Sequence, residues 1–263
     1  MFMNNEENIE MMVDFFLNDA DSELVGKALR KKSKINMDLF DELYLQLKDM
    51  HEFTDVYKGI KAKTKGELLE DMIKVLILNT SLFSLFDNIT NDSNEYDIIT
   101  KLSEKGQALS KVIPEELTSL VICECKNYQD TIGVTWIGKL YSLLELSDLK
   151  LGIIFSYEPL TGMKIKKDED YKEEYGWKDA NGLTRKIFLK KGIYIININK
   201  EDYEAIHKKE KGIFDIIEKK CEELRILANI EKEKKNHPSQ VNVEKIKDKI
   251  ANELQQIEEK KKK

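Results

Sequence analysis

Two short apolar runs place the strongest constraint on this chain: VICECK at 121–126 and KLGIIFS at 150–156. The second run, bounded by Gly152 and Pro159, has no polar alternation. That is the pattern of a strand buried on both faces, which needs helices above and below its sheet. The first run has strand-favouring residues, yet it carries Glu124 and Lys126 two positions apart.

The segments around these runs alternate between helical and extended periodicity. NIEMMVDFFLND and NMDLFDELYLQLKDM repeat apolar residues every three or four positions and predict helices, the second capped by Asn36 or Asp38. KAKTKG predicts a charged joint, and a helix follows over about 65–80, with a buried stripe of Leu69, Met72, Ile73 and Leu76 and a stop at Asn79 and Thr80. LFSLFDNI fits helix and strand alike, whereas NEYDIITKL predicts a strand at 95–102. Residues 103–117 read as a long connection. TIGVTWIGKLYSLLELSD brings Ile137, Leu140 and Leu144 onto one helical face. Residues 163–190 predict helix around an irregular section, GIYIININ a further strand, and KEDYEAIHKK and GIFDIIEKKCEELRILANIEKEKK two helices. After NHPSQ, the stripe Val243, Ile246, Ile250, Leu254 and Ile257 predicts a separate helix suited to a partner helix. The expected class is α/β, a mixed sheet flanked by helices. The expected organisation is a helical region at 1–60, a central domain at 61–210 and C-terminal helices at 211–263.

A net charge of −6 argues against electrostatic binding of nucleic acid by the whole surface. The acidity is concentrated in residues 1–59, which hold 13 acidic and 7 basic side chains. Lys178, Arg185, Lys186, Lys190 and Lys191 form the densest basic stretch of the central region. They are candidate nucleic-acid contacts, against the blander reading of a solvated face. Three cysteines, Cys123, Cys125 and Cys221, lack the even spacing of a disulfide framework and fit a reducing compartment. Cys123 and Cys125 read as two buried thiols on one strand face, since no matching His/Cys pair follows them. An acidic N-terminus and the lack of a long apolar run predict a soluble, cytoplasmic protein with no membrane partner. His51, His207 and His237 show no ligand spacing.

Alternation along the strand puts Glu124 and Lys126 on the face of Ile122, and Val121, Cys123 and Cys125 on the other. Lys126 comes where the strand gives way to NYQD, so both charges are expected at a sheet end. Asp97 lies on the preceding strand, and pairing of the two strands brings it within reach of Glu124. Two close carboxylates repel unless a cation lies between them. Such oxygen ligands suit Mg²⁺ or Mn²⁺. Lys126 beside that ion is placed to orient or deprotonate a water, or to neutralise phosphorane charge. E-x-K spacing by itself is common on exposed strands; its context gives it weight.

KGELLE (65–70), NEYDII (94–99), VICECKNY (121–128) and LGIIFSYEPLTG (151–162) resemble, in order and approximate spacing, the PD-(D/E)xK nuclease superfamily. The resemblance is to its Mrr-like (type IV) restriction endonuclease branch, with a G-x-x-x-E helix, an E-x-D strand and an E-C-K strand, and covers about residues 61–200. It implies a restriction-endonuclease-like α-β-β-β-α-β core and metal-dependent endonuclease cleavage of DNA. Asp97 matches the metal aspartate, Glu124 and Lys126 the (D/E)-x-K pair, and Glu70 the helical glutamate that helps hold metal; Glu67, one turn away, competes with Glu70. Gln129 is a substrate-contact candidate. The 26 residues between Asp97 and Glu124 leave room for an insertion. Trp136 and Tyr141 are weighed as nucleic-acid contacts against core positions of an amphipathic helix, and Thr161 and Gly162 as a turn beside the site.

The expected function is a Mg²⁺- or Mn²⁺-dependent deoxyribonuclease, acting in defence against foreign DNA by analogy with that branch. A homodimer or a partner protein is expected through the flanking helices. One rival is an inactive nuclease-fold protein that binds nucleic acid or scaffolds a complex; another is a nuclease effector subunit regulated by a partner.

Overall fold

A computed structural model describes residues 37–90, 95–163 and 179–236. The predicted helices at NIEMMVDFFLND and after NHPSQ, and Lys178, lie outside these residues.

The first described helix, α1 (Asp38–Glu52), buries Phe40, Tyr44 and Leu47, a stripe at i, i+4 and i+7. Its N-cap is Met37, with no side-chain cap; Asp38 sits inside the first turn rather than capping it. α2 (Ala62–Leu78) buries the expected Leu69, Met72, Ile73 and Leu76 together with Ile77. KAKTKG is not a joint: most of it forms the first turn of α2, because long lysine stems carry good helix propensity and their charges stay in water.

The ambiguous LFSLFDNI is β1 (Phe83–Thr90), and NEYDIITKL supplies β2 (Glu95–Leu102). The two form an antiparallel hairpin in register from Phe83↔Leu102 to Thr90↔Glu95. Pairing settles β1 as strand, since its exposed Phe86 is otherwise served equally by either structure. The long connection to β3 is not featureless. It holds α3 (Glu104–Ala108), N-capped by Ser103 Oγ accepting from the Gly106 amide at 3.2 Å, and two 3₁₀ turns, Ser110–Val112 and Glu115–Leu117. Then come β3 (Val121–Lys126), α4 (Val134–Leu146), β4 (Leu151–Ser156), α5 (Asp179–Lys191), β5 (Tyr194–Ile198), α6 (Lys200–His207) and α7 (Ile213–Asn236).

The protein is therefore α/β, with seven α-helices among the described residues and one five-stranded mixed sheet in the order β1-β2-β3-β4-β5. β2 runs antiparallel to β1 and β3, whereas β3, β4 and β5 are mutually parallel. Each parallel step needs a crossover helix, supplied by α4 and α5. Every residue of β4 is buried, as its unbroken apolar run requires.

Each sheet face has its own core. One joins α1, α2 and α6 to Val121, Cys123, Cys125, Ile153 and Phe155. The other joins Ile137, Leu140 and Leu144 of α4 and Ile187 of α5 to Ile122, Ile154 and Ile195. α4 comes so close to β4 that a Cβ on Gly152 would stand 2.7 Å from Leu144 Cδ1. Because α1 packs into the same core as α2, the expected boundary near residue 60 does not separate α1 from the central domain. By contacts the chain divides at Arg225, with one compact unit up to that residue and a second from Ile226 onward.

Gly106 holds the β2–β3 connection against the sheet, since a Cβ there would meet the Leu82 carbonyl oxygen at 2.2 Å. Gly106→Ala is expected to lower stability by about 1–3 kcal/mol in urea unfolding. An unchanged midpoint contradicts this close approach.

Candidate functional site

The sheet forks at the ends of β2 and β3, and the charged residues sit in the fork. Pairing of β2 with β3 runs from Thr100↔Val121 to Ile98↔Cys123 and ends there, while β3 continues beside β4 as far as Lys126↔Ser156. Past the last pair, the Cys125 amide donates to Asp97 Oδ2 at 2.7 Å. The carboxylate thus supplies the acceptor that the ladder no longer does, as a buried amide requires. On the other side of β2, Asn88 takes a left-handed φ of 47° between the Asp87↔Ile98 and Ile89↔Tyr96 pairs. The strand's alternation changes at this point: Ile98 packs in the α2-side core and Tyr96 in the α4-side core.

Glu124 and Lys126 do share a face with Ile122. Glu124 is not at a solvated sheet end, however; it is 1% exposed. The reason is electrostatic. Its Oε1 lies 2.7 Å from Lys126 Nζ and 3.0 Å from Lys139 Nζ, so two ammonium groups offset one buried carboxylate. Lys126 Nζ also donates to Asp97 Oδ2 at 3.0 Å and to the Cys125 carbonyl at 2.9 Å. Asp97 and Glu124 are therefore joined through a cation between them, and that cation is Lys126. Burial disfavours charge on Lys126, but Glu124 and Asp97 outweigh it and raise its pKa above the ordinary value. Lys126 is an ammonium at neutral pH.

Glu70 approaches from α2. Burial raises its pKa, and the negative charge of Asp97 adds to the rise, against Lys74 and Lys126. Glu67 points elsewhere: it is half-exposed and pairs with Lys63 at 3.8 Å. Of the two helical glutamates, Glu70 is the one electrostatically coupled to Asp97 and Lys126. Lys74 ties Glu70 (4.0 Å) to Asp87 of β1 (2.9 Å), fastening α2 to the sheet edge.

Neighbours not singled out beforehand complete the site. Lys139 is one. Another is Asn127, which donates to the Lys65 carbonyl at 2.5 Å and contacts His51 Nε2 through Oδ1 at 2.6 Å. His51 stacks on Tyr157 at 3.9 Å, and its burial lowers its pKa in spite of Asn127. α1 and α2 thereby pin the loop that follows Lys126. Trp136 is half-buried rather than core, with Lys126 Nζ 4.6 Å from its ring centroid. Thr161 ties the loop after β4 to the approach of α4, its amide donating to the Ile132 carbonyl, while Gly162 turns with φ 78°.

Arg185, Lys186, Lys190 and Lys191 of the basic stretch lie on α5. Lys191 pairs with Glu145 at 2.6 Å, nine residues beyond Trp136 along α4, or about 13 Å of helix rise. Lys186 and Lys190 are exposed, Arg185 is half-buried, and Gln129 is exposed beside Tyr128. The three thiols are free and buried, and burial holds Cys123 and Cys125 protonated.

As the side chains stand, no three His, Cys, Asp or Glu residues converge as a metal ligand set among the described residues. The donor chemistry nevertheless suits a hard cation. Asp97 and Glu124 both present oxygen, and Glu124 Oε2 is buried without a hydrogen-bond partner. A bare buried carboxylate oxygen is costly, and Mg²⁺ commonly takes only one or two carboxylates plus water and phosphate oxygens. Comparison with protein families, curated proteins and solved structures gives no match to this chain.

The Glu70 shift has a consequence for stability. Its folded pKa lies above the ordinary 4.5, so ionised Glu70 disfavours folding at neutral pH, and this penalty fades as pH falls through the folded pKa toward 4.5. Glu70→Gln is expected to raise Tm at pH 7, with the gain shrinking toward pH 4. Equal Tm values at pH 7 contradict the partly buried placement of this carboxylate beside Asp97.

Proposed function

We propose that this protein is a metal-dependent endonuclease that hydrolyses phosphodiester bonds of DNA. The observation that carries the reading is the ion-paired group of Asp97, Glu124 and Lys126 at the β2–β3 fork, with one Glu124 oxygen unpartnered. Support comes also from the element order α2-β1-β2-α3-β3-α4-β4, which is that of a restriction-endonuclease-like core once the short α3 is taken as an insertion between β2 and β3.

In this reading Asp97 and Glu124 would hold Mg²⁺ or Mn²⁺, with Glu70 supporting from α2; bound there, the ion would supply Lewis-acid polarisation of a phosphoryl group and lower the pKa of a water. Lys126, held as an ammonium, positions the attacking water and offsets charge at phosphorus; it does not begin as the general base. Glu70, whose pKa is raised by burial and by the charge of Asp97, takes the role of proton acceptor. The Asn127–Lys65 and Asn127–His51 contacts fix the strand end that carries Lys126. A role in defence against foreign DNA rests on analogy alone.

Glu124→Gln and Lys126→Met are expected to lower DNA cleavage by about 100-fold or more while circular dichroism stays native. EDTA is expected to abolish cleavage by the unaltered protein, and Mg²⁺ or Mn²⁺ to restore it. Full activity of either variant, or activity in EDTA, excludes this mechanism.

A further inference from the structure

Beside the carboxylates lies a pair of aromatic rings that the hydrolytic mechanism does not use. Tyr128, two residues past the end of β3, is 44% exposed. Its ring centroid is 5.9 Å from that of Trp136, in the first turn of α4, at an interplanar angle of 35°. Lys126 and Lys139 bring their ammonium groups to 4.6 and 5.5 Å from the Trp136 centroid. Lys139 reaches Glu124 from an exposed position, its side chain 42% exposed. The platform is held from both sides. Asn127 is fastened to α1 and α2, and α4 is anchored by Ile137, Leu140 and Leu144.

We propose that Tyr128, Trp136 and Lys139 form a subsite for an unpaired nucleotide, with the base stacked on the exposed aromatic surface and a backbone phosphate on Lys139. The physical grounds are specific. Base stacking on an aromatic side chain needs an open base face, and duplex bases have theirs covered by neighbouring pairs. Aromatic rings interleaved with cations are the combination that binds single strands. The overall charge of −6 disfavours general polyanion binding, so attraction has to come from a local cluster of this kind. Placing the subsite next to the scissile position rests on the proposed nuclease function. It deepens that function by making the preferred substrate a single-stranded or locally unpaired segment.

The test is fluorescence anisotropy in EDTA, with the full chain titrated into a fluorescein-labelled single-stranded DNA and into its duplex. The single strand is expected to bind at least about tenfold more tightly. Tyr128→Ala is expected to weaken single-strand binding about 5- to 150-fold, the range for loss of one stacked base, with Tyr128→Phe restoring it. Lys139→Gln is expected to weaken it and to flatten its salt dependence. A second readout uses Trp136 directly. The chain has two tryptophans, so Trp177→Phe leaves Trp136 as the sole tryptophan, and its selectively excited fluorescence should be quenched by the single strand and not by the duplex. Equal binding of single strand and duplex, unchanged binding by folded Tyr128→Ala, or an unquenched Trp136 each overturns the subsite. Stacking without cleavage in Mg²⁺ or Mn²⁺ keeps the subsite and rejects the nuclease reading. Cleavage with unchanged Tyr128→Ala binding does the reverse.

Discussion

Holding a carboxylate almost out of water costs several kcal/mol unless opposite charge stands close to it. Glu124, at 1% exposure in the middle of a five-stranded sheet, meets this demand through Lys126 and Lys139. Much of the local architecture follows. Lys126 has to stay near the end of β3 and α4 has to run close enough for Lys139 to reach. Gly152 allows that approach by leaving room for Leu140 and Leu144. Asp97 has to face the same ammonium, so β2 leaves β3 after Ile98↔Cys123 and hands the Cys125 amide to a side chain.

The fork therefore has a structural and a chemical meaning at once. Regular pairing would have directed Asp97 as an ordinary strand residue. The left-handed Asn88 and the change of faces between Tyr96 and Ile98 turn it toward the β3 end instead. Where β2 and β3 diverge, two carboxylates and an ammonium meet. Glu70 of α2 is coupled to Asp97 and Lys126 there, and Lys126 lies over Trp136, which pairs with Tyr128.

Much of this was legible in the chain. The β4 run reads as doubly buried and is so; α1 is the helix its spacing predicts, and α2 buries the stripe its periodicity names. Asp97, Glu124 and Lys126 are brought together as their placement on adjacent strands suggests. Other features were not legible. LFSLFDNI became a strand only through its partner β2, and KAKTKG joined α2 because a lysine-rich segment is as good a helix start as a linker. The dense basic stretch reads equally as a ligand surface or a solvated face, and the pairing of Lys191 with Glu145 is visible only in the tertiary structure. Lys139 carried no signal at all: an exposed-face lysine on an amphipathic helix reads as solvated until the helix is docked.

Periodicity and residue chemistry, both local quantities, set the α/β class, the core stripes and the acidic and basic groups from which the site is built. The tertiary structure alone decided which lysines meet Glu124, which of Glu67 and Glu70 turns inward, and how far α1 shares the core. Those outcomes depend on the distance between elements remote in sequence, such as His51 and Asn127 or Glu124 and Lys139. Coulomb energy and burial act through that distance, which the packing of α1, α2 and α4 on the sheet sets.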